Sequence, residues 1–428
     1  MPDHSIPIRR GLCRRSAFAS EVTQCPAVNN GGMHPDHPDH PDHPIHAVSH
    51  RDPYPYYASL LDRPALFHDV RLGAWVAARA ATLAEVFGNP ACRVRPLAEP
   101  VPLALLGSPA GEVFRRVVRM NDGKAHALGK GVLERALAGL PANRVVARTR
   151  AVASQALPKA DTPADLDAWI VDTPVSVVAE LLGLAPAGVP PIVASVRDFV
   201  RCLSPSSDDA QLAKASVAAN TLQDSLDAQR RIALADDSLM NQICHQARIA
   251  NWTDDAALLA NLVGLLSQTC EATAGLLANS LVALASHAGL LQQVREHPDG
   301  WRQLVMETGR HDAPVQNTRR FTSMPTRIAG VDVAAGAHIL LLLAAANRDA
   351  QVNERPEQFL LHRPNRRSFV FSRGAHVCPG QILATEIVST ALACLFETWS
   401  ETDVAALAWT YRPSANARLP TFGRAKPI

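Results

Sequence analysis

The sequence predicts a mainly α-helical protein with a small β region, built as a single large helical domain. Three observations carry this. From Ala151 to His287 the apolar residues recur with the helical period, with breaks at prolines and at the segment "SPSSDD". Inside that stretch, "DDAALLANLVGLLSQTCEATAGLLANSLVALASH" runs from Asp254 to His287 without a helix breaker. From Thr326 the pattern changes. "TRIAGVDVAAGAHILLLLAAA" alternates and carries Gly330 and Gly336 as turn signals, which predicts a small sheet.

The elements follow in chain order. "MHPDHPDHPDHPIH" repeats His-Pro-Asp from His34. Proline at every third residue blocks helix and central strand. Residues 1–50 are therefore expected to be a disordered low-complexity leader, with residues 51–428 as the folded domain. His34, His37, His40 and His43 make a metal-binding tract the alternative to a plain solvated leader. Met33 begins the repeat and is a second candidate start, which would leave residues 1–32 outside the native protein. "PYPYYASLLD" opens a short helix, and "LGAWVAARAATLAEVFGN" reads as a short strand and then a helix ending near Gly88. The long run from Asp254 would span roughly 50 Å at about 1.5 Å per residue. It is apolar on nearly every face and is expected to be buried throughout.

The totals exclude several classes. The chain has 428 residues, 47% hydrophobic, with a formal net charge of +2. No basic block appears, so nucleic acid is not an expected partner. No apolar stretch is long enough to cross a bilayer, and the N-terminus has arginines without an apolar core. A protein with no membrane association, in the cytoplasm, is expected. The 8 cysteines are scattered, without a CxxC pair or zinc-like spacing, so a disulfide framework is not expected.

One cysteine stands apart. In "FVFSRGAHVCPGQILATEIV", Gly374 and Gly380 bracket Cys378, and glycine permits the backbone angles of a tight loop. Pro379 suits the first position of a helix. Leu383, Ile387, Ala391 and Leu395 then fall on one helical stripe. Cys378 is thus predicted at a helix N-terminus, where exposed amides and the helix dipole stabilise a thiolate. Such a thiolate serves as a nucleophile or a metal ligand. His376 is close in sequence, but side chains two residues apart in a tight loop diverge, which makes a poor catalytic dyad. The other option is an axial ligand to haem iron.

The pattern of Phe371, Gly374, His376, Cys378 and Gly380 resembles the haem-binding signature of the cytochrome P-450 family. Other stretches agree. Glu307 and Arg310 in "METGR" match the family's Glu-x-x-Arg structural pair, and Arg320 stands where the family has an arginine for a haem propionate. His376 and His126 are further expected propionate donors. Where the family has His-x-x-x-Arg, this chain has His126 and Lys130, keeping the charge but losing the guanidinium fork. Asn347, Arg348, Asp349, Pro356, Phe359 and Arg363 are also in register. Gln358 replaces an arginine common among relatives, so Arg363 is the expected third member of the Glu307–Arg310 cluster. The resemblance covers residues 50–428. It implies the cytochrome P-450 fold, with haem b between the long central helix and the cysteine-loop helix, iron bound by Cys378, and monooxygenase activity with dioxygen on a small to medium organic substrate.

The long helix departs from the family pattern. The usual acid is Glu271, but the threonine after it is Ala272, and the small pair before the acid is Gln268 and Thr269. Thr273 is next door, rotated by about a hundred degrees on a regular helix. A hydroxyl at this place orients proton delivery during oxygen activation, and the acid connects it to solvent. A substrate hydroxyl or water in its place, a π-bulge bringing Thr273 or Thr269 inward, and a reaction without ordinary proton delivery are three explanations. The departure also leaves room for a haem protein that does not turn over oxygen, such as a sensor, and for a peroxide-driven oxygenase. No flavin or iron–sulfur motif is present, so electrons are expected from a ferredoxin and its reductase, with the chain a monomer. Arg363, Arg366, Arg367 and Arg373 form a candidate docking face for that partner. Substrate-lining segments are expected at residues 92–118 and 195–210, at Gln268 to Ala272, and at Val315 to Asn317.

Overall fold

The long apolar run forms one helix, Asp255–Ser286, and the rest of the chain is arranged around it. Asp254 caps it, its side chain accepting from the Ala257 amide at 2.9 Å. The computed structural model describes residues 41–203, 207–232 and 237–424. Helices Pro163–Leu181, Pro109–Arg116 and Gly300–His311 pack against the central helix. Their apolar faces merge into one large cluster that includes Trp169, Leu262, Leu266 and Leu277. Burial of the central helix is interrupted at its middle, contrary to the expectation from its composition. Gln268 and Glu271 are exposed and Thr269 and Ala272 half-buried, because this turn faces an internal cavity.

The small β region lies to one side. Strands β1 (Phe67–Asp69), β2 (Ala74–Ala77), β3 (Cys92–Arg93), β4 (Asn317–Thr322) and β7 (His338–Leu342) form a sheet ordered β1-β2-β7-β4-β3. β2 and β7 are parallel, with Val76 opposite Leu340, so the N-terminal strands depend on a partner near the end of the chain. β5 (Thr326–Ile328) and β6 (Val331–Val333) make the hairpin that Gly330 signalled, with Gly330 at φ +80°. β8 (Leu407–Tyr411) and β9 (Pro420–Arg424) make a second hairpin. Among the described residues no single helix is long and apolar enough to cross a membrane.

The leader ends earlier than its composition suggested. Pro44–Ala47 is a short helix, and Ala47 and Val48 are fully buried. The cause is Arg418, whose guanidinium donates to the carbonyls of Val48 at 3.0 Å, His50 at 2.7 Å and Arg51 at 3.0 Å. His43 serves this helix as its cap, Nδ1 accepting from the Ile45 amide at 3.2 Å. His34, His37 and His40 lie outside the described residues. Arg418 is itself held by half-buried Asp312 at 2.7 Å, which also accepts from the Tyr54 hydroxyl at 2.6 Å and the Tyr411 hydroxyl at 3.2 Å. Nothing in the local sequence marked this junction.

Candidate active site

Cys378 sits in a loop whose conformation is set by its neighbours. Gly374 has φ +67°, and a Cβ there would lie 2.7 Å from the Phe87 carbonyl oxygen, so only glycine fits. Gly380 is different. Its φ is −90°, and an added Cβ would meet the Cys378 sulfur at an ordinary 3.8 Å. It caps the helix Gln381–Leu395 rather than supplying a special angle. That helix begins two residues after Pro379, which therefore precedes the first turn instead of opening it. Phe371 closes the loop from the other side, its carbonyl accepting from the Cys378 amide at 2.8 Å.

The thiol is not lowered by its position as the sequence suggested. Burial pushes it above the ordinary cysteine value, and the Gly380 amide and Lys130 pull it back without overcoming that. A cationic ligand at the sulfur would offset the cost of the buried thiolate.

Beside the loop is a wall of basic side chains. His126 and Lys130 lie one turn apart on helix Gly123–Ala138. The His126 and His376 rings lie with centroids 4.1 Å apart, tilted by 35°. Burial, with His376 and Lys130 nearby, pushes the His126 pKa down to about 4, so it donates as a neutral ring rather than a cation at pH 7. His376 Nε2 is 3.1 Å from Asp122 Oδ1, and Asp122 Oδ2 accepts from the Val94 amide at 3.1 Å. Sequence reading missed Asp122, although it precedes His126 by one helical turn. Lys130 Nζ donates to the Ala375 carbonyl at 3.1 Å and to that of Val377, and it pairs with Glu134 at 3.2 Å. It braces the cysteine loop. Arg320 is buried in β4 with its guanidinium 5.1 Å from the Phe87 ring centroid. No described carboxylate pairs with it, and burial lowers its pKa to about 10. Arg373 Nε is likewise buried without a hydrogen-bond partner among the described residues. These uncompensated guanidiniums next to a cysteine loop fit a bound group carrying negative charges there, as haem propionates do.

Glu307 and Arg310 are both fully buried, with Arg310 Nη2 2.6 Å from Glu307 Oε1. Arg363 Nε reaches the same oxygen at 2.9 Å, the partner expected in place of Gln358. Gln358 contributes through its backbone, its carbonyl accepting from Arg310 at 2.9 Å and Arg363 at 2.6 Å. Arg366 Nε takes Glu307 Oε2 at 2.8 Å. Burial pushes the Glu307 carboxyl up, but the three guanidiniums outweigh it and hold its pKa below the ordinary value. Arg363 and Arg366 are thus internal and cannot form a docking face. Of that expected group, Arg367 is exposed, while Arg373 is half-buried over the Phe369 ring.

A cavity of about 960 Å³ joins the cysteine loop to the middle of the central helix. Cys378, Phe371, Gly380, His126, Lys130 and His376 line one part, and Gln268 through Thr273 line another. Gly374, Arg320, Glu307 and Arg310 lie behind the lining. Of the expected substrate segments, Val118, Arg197, Val200, Arg201, Ser207, the helix turn and Val315 line the cavity. Asn317 and the rest of 92–118 do not. The segment Arg412–Ala417 and Asp167 were not foreseen. The central helix stays regular α through residue 273, so no π-bulge re-aims its hydroxyls. Thr269 Oγ1 donates to the Leu265 carbonyl at 2.7 Å. Thr273 faces the cavity with no side-chain hydrogen bond to a described residue. Burial raises the Glu271 pKa above the ordinary value, with Arg412 and Arg119 opposing.

The chain is similar to several known proteins. The family model described as Cytochrome P450 matches residues 215–402. The chain is 35% identical over 143 residues to the biotin biosynthesis cytochrome P450 of Bacillus subtilis, covering 33% of this chain and 36% of that protein. It is 31% identical over 235 residues to cytochrome P450 144 of Mycobacterium tuberculosis, covering 54% of each. The chain thus spans about half or less of the length of these curated relatives. Among solved structures, epothilone B-bound cytochrome P450epoK superposes with a TM-score of 0.78 at 18% identity, over 90% of this chain and 100% of that one. CalO2 superposes with a TM-score of 0.73 at 23% identity, over 88% and 96%.

Proposed function

We propose that the chain is a haem-thiolate monooxygenase of the cytochrome P450 family, whose members bind haem b through a cysteine thiolate. The reading includes oxidation of a small to medium organic molecule, with electrons from a separate ferredoxin and reductase. The observation that carries it is Cys378 opening into the same cavity as Glu271 and Thr273, beside guanidiniums that lack acidic partners. When bound, the haem supplies activation of dioxygen. The chain's own residues do the rest. Cys378 offers Sγ as the iron ligand, tempered by the Gly380 amide. Arg320, His126 and His376 would hold the propionates, while Lys130 and Gly374 fix the loop. Glu271, raised by burial, holds a proton nearer neutral pH than a surface glutamate does. Thr273 presents the open hydroxyl beside it, in place of the side chain missing at Ala272. Val118, Val171, Val200 and Leu265 give the chamber an apolar wall for the body of a substrate.

The test is twofold. The reduced carbon-monoxide spectrum of the purified protein is expected to show thiolate ligation and to lose it in Cys378→Ser. With a substrate, reductant consumption is expected to rise together with product. Ala272 favours a second reading, a haem protein that binds ligands without oxygen turnover. Thiolate ligation with no product from any spin-shifting ligand would select it.

A further inference from the structure

We propose that the cavity takes an organic acid, with the carboxylate received by Arg119 and the apolar body lying toward Cys378. The proposal rests on the reading of this cavity as the substrate chamber. Arg119 lies on the single turn Val118–Met120, and its side chain lines the cavity. It has no hydrogen bond or ion pair to any described residue. Withdrawal from bulk water holds its pKa below the usual arginine value, with Glu271 acting in the other direction. The other arginines of the chamber are engaged. Arg197 pairs with Asp172, Arg201 has Asp198 at 3.9 Å, and Arg412 Nε donates to Thr421 Oγ1 at 3.0 Å. Arg119 is left facing the cavity as a cation with donors to spare, which the carboxylate of a ligand would take up.

The turn that carries Arg119 is fixed in place, which suits a receptor rather than a loose surface chain. Buried Asn261 on the central helix accepts from the Val118 amide at 2.8 Å. Its own amide donates to the Ala257 carbonyl at 2.7 Å, so its orientation is set. Asn121 Nδ2 ties the far side, donating to the Val117 carbonyl at 2.8 Å and that of Arg115 at 3.0 Å. Glu271 faces the same space but makes no ion pair with Arg119 within 4.0 Å. Its placement leaves Arg119 free for a ligand and penalises an acid bound the wrong way round. A planar carboxylate matches the guanidinium fork, and the apolar lining at Val118, Val171, Val200 and Leu265 takes the remainder.

The test uses the full-length haem-loaded protein and calorimetric titration. The probes are dodecanoic acid and 4-phenylbutyric acid, each against its primary amide. At least one acid is expected to bind about tenfold or more tightly than its amide, as a charge-assisted hydrogen-bond pair gives. Arg119→Gln is expected to abolish that preference while leaving amide binding within about twofold, and Arg119→Lys to keep part of it. Glu271→Gln is expected to tighten acid binding by removing the opposing charge. Acids binding no better than amides, or a preference that survives Arg119→Gln in a protein with unchanged circular dichroism, overturns the proposal. Calorimetry reads the anion site even if carbon monoxide shows no thiolate ligation. In that outcome the monooxygenase reading fails and the acid site stands; loss of the acid preference with ligation intact does the reverse.

Discussion

Gly374 and Gly380 look equivalent in the sequence, six residues apart around one cysteine, yet only one is required by backbone geometry. Gly374→Ala puts a methyl group against the Phe87 carbonyl at a positive φ. It is expected to cost about 1–3 kcal/mol and to weaken haem retention. Gly380→Ala is expected to leave folding stability within about 0.5 kcal/mol, since its φ is ordinary and the added methyl would make only a van der Waals contact with the Cys378 sulfur. Thermal unfolding of the two variants, with haem content at equal protein concentration, checks both. The signature around Cys378 was legible because it depends on residue identity within one loop. The arginines were not. Arg363, Arg366, Arg367 and Arg373 are alike in sequence, but two of them bind a glutamate some 60 positions away, a separation that side-chain chemistry alone does not reveal.

At the scale of elements, the central helix was the most legible part, because an unbroken apolar run with an Asp cap has few other solutions. Its function was less so. Which hydroxyls point at the chamber depends on helix phase and on which of them bond back to the helix itself. Ser267, Thr269 and Ser280 bond back, to Gly264, Leu265 and Leu276. Thr273 does not, and this gives a paired prediction. Thr273→Ala is expected to lower product per reductant consumed, with little change in substrate binding. Ala272→Thr is expected to raise it by restoring a hydroxyl one residue closer to Glu271. Coupling unchanged in both variants would remove this turn from proton delivery. The cysteine-loop helix carries a smaller lesson. Pro379 marked its vicinity but not its first residue, because Gly380 takes the cap.

The whole molecule is joined at Asp312. One half-buried carboxylate collects Tyr54, Tyr411 and Arg418, and Arg418 passes the restraint on to residues 48, 50 and 51. Burial would raise the Asp312 pKa, but Arg418 and the Tyr54 hydroxyl outweigh it and the net shift is downward. A carboxyl with a lowered folded-state pKa contributes its full stabilisation above the unfolded value of about 3.9 and loses it as pH falls through the lower folded value. Asp312→Asn is therefore expected to cost about 3–5 kcal/mol at pH 7. It is also expected to flatten the acid limb of the stability curve. Urea unfolding at pH 7 and below pH 4 measures both effects. Composition placed the leader boundary too late because a low-complexity repeat carries no sign of a partner so distant in the chain.

That distance has a consequence during synthesis. The carbonyl of Val48 emerges 370 positions before the guanidinium that holds it, and the Tyr54 hydroxyl 258 positions before Asp312. The strand Ala74–Ala77 waits in the same way for His338–Leu342. While the helices close behind the ribosome, the first folded residues have no partners to meet. This corner is completed last, and until then it is the part of the nascent chain that chaperones and proteases can reach.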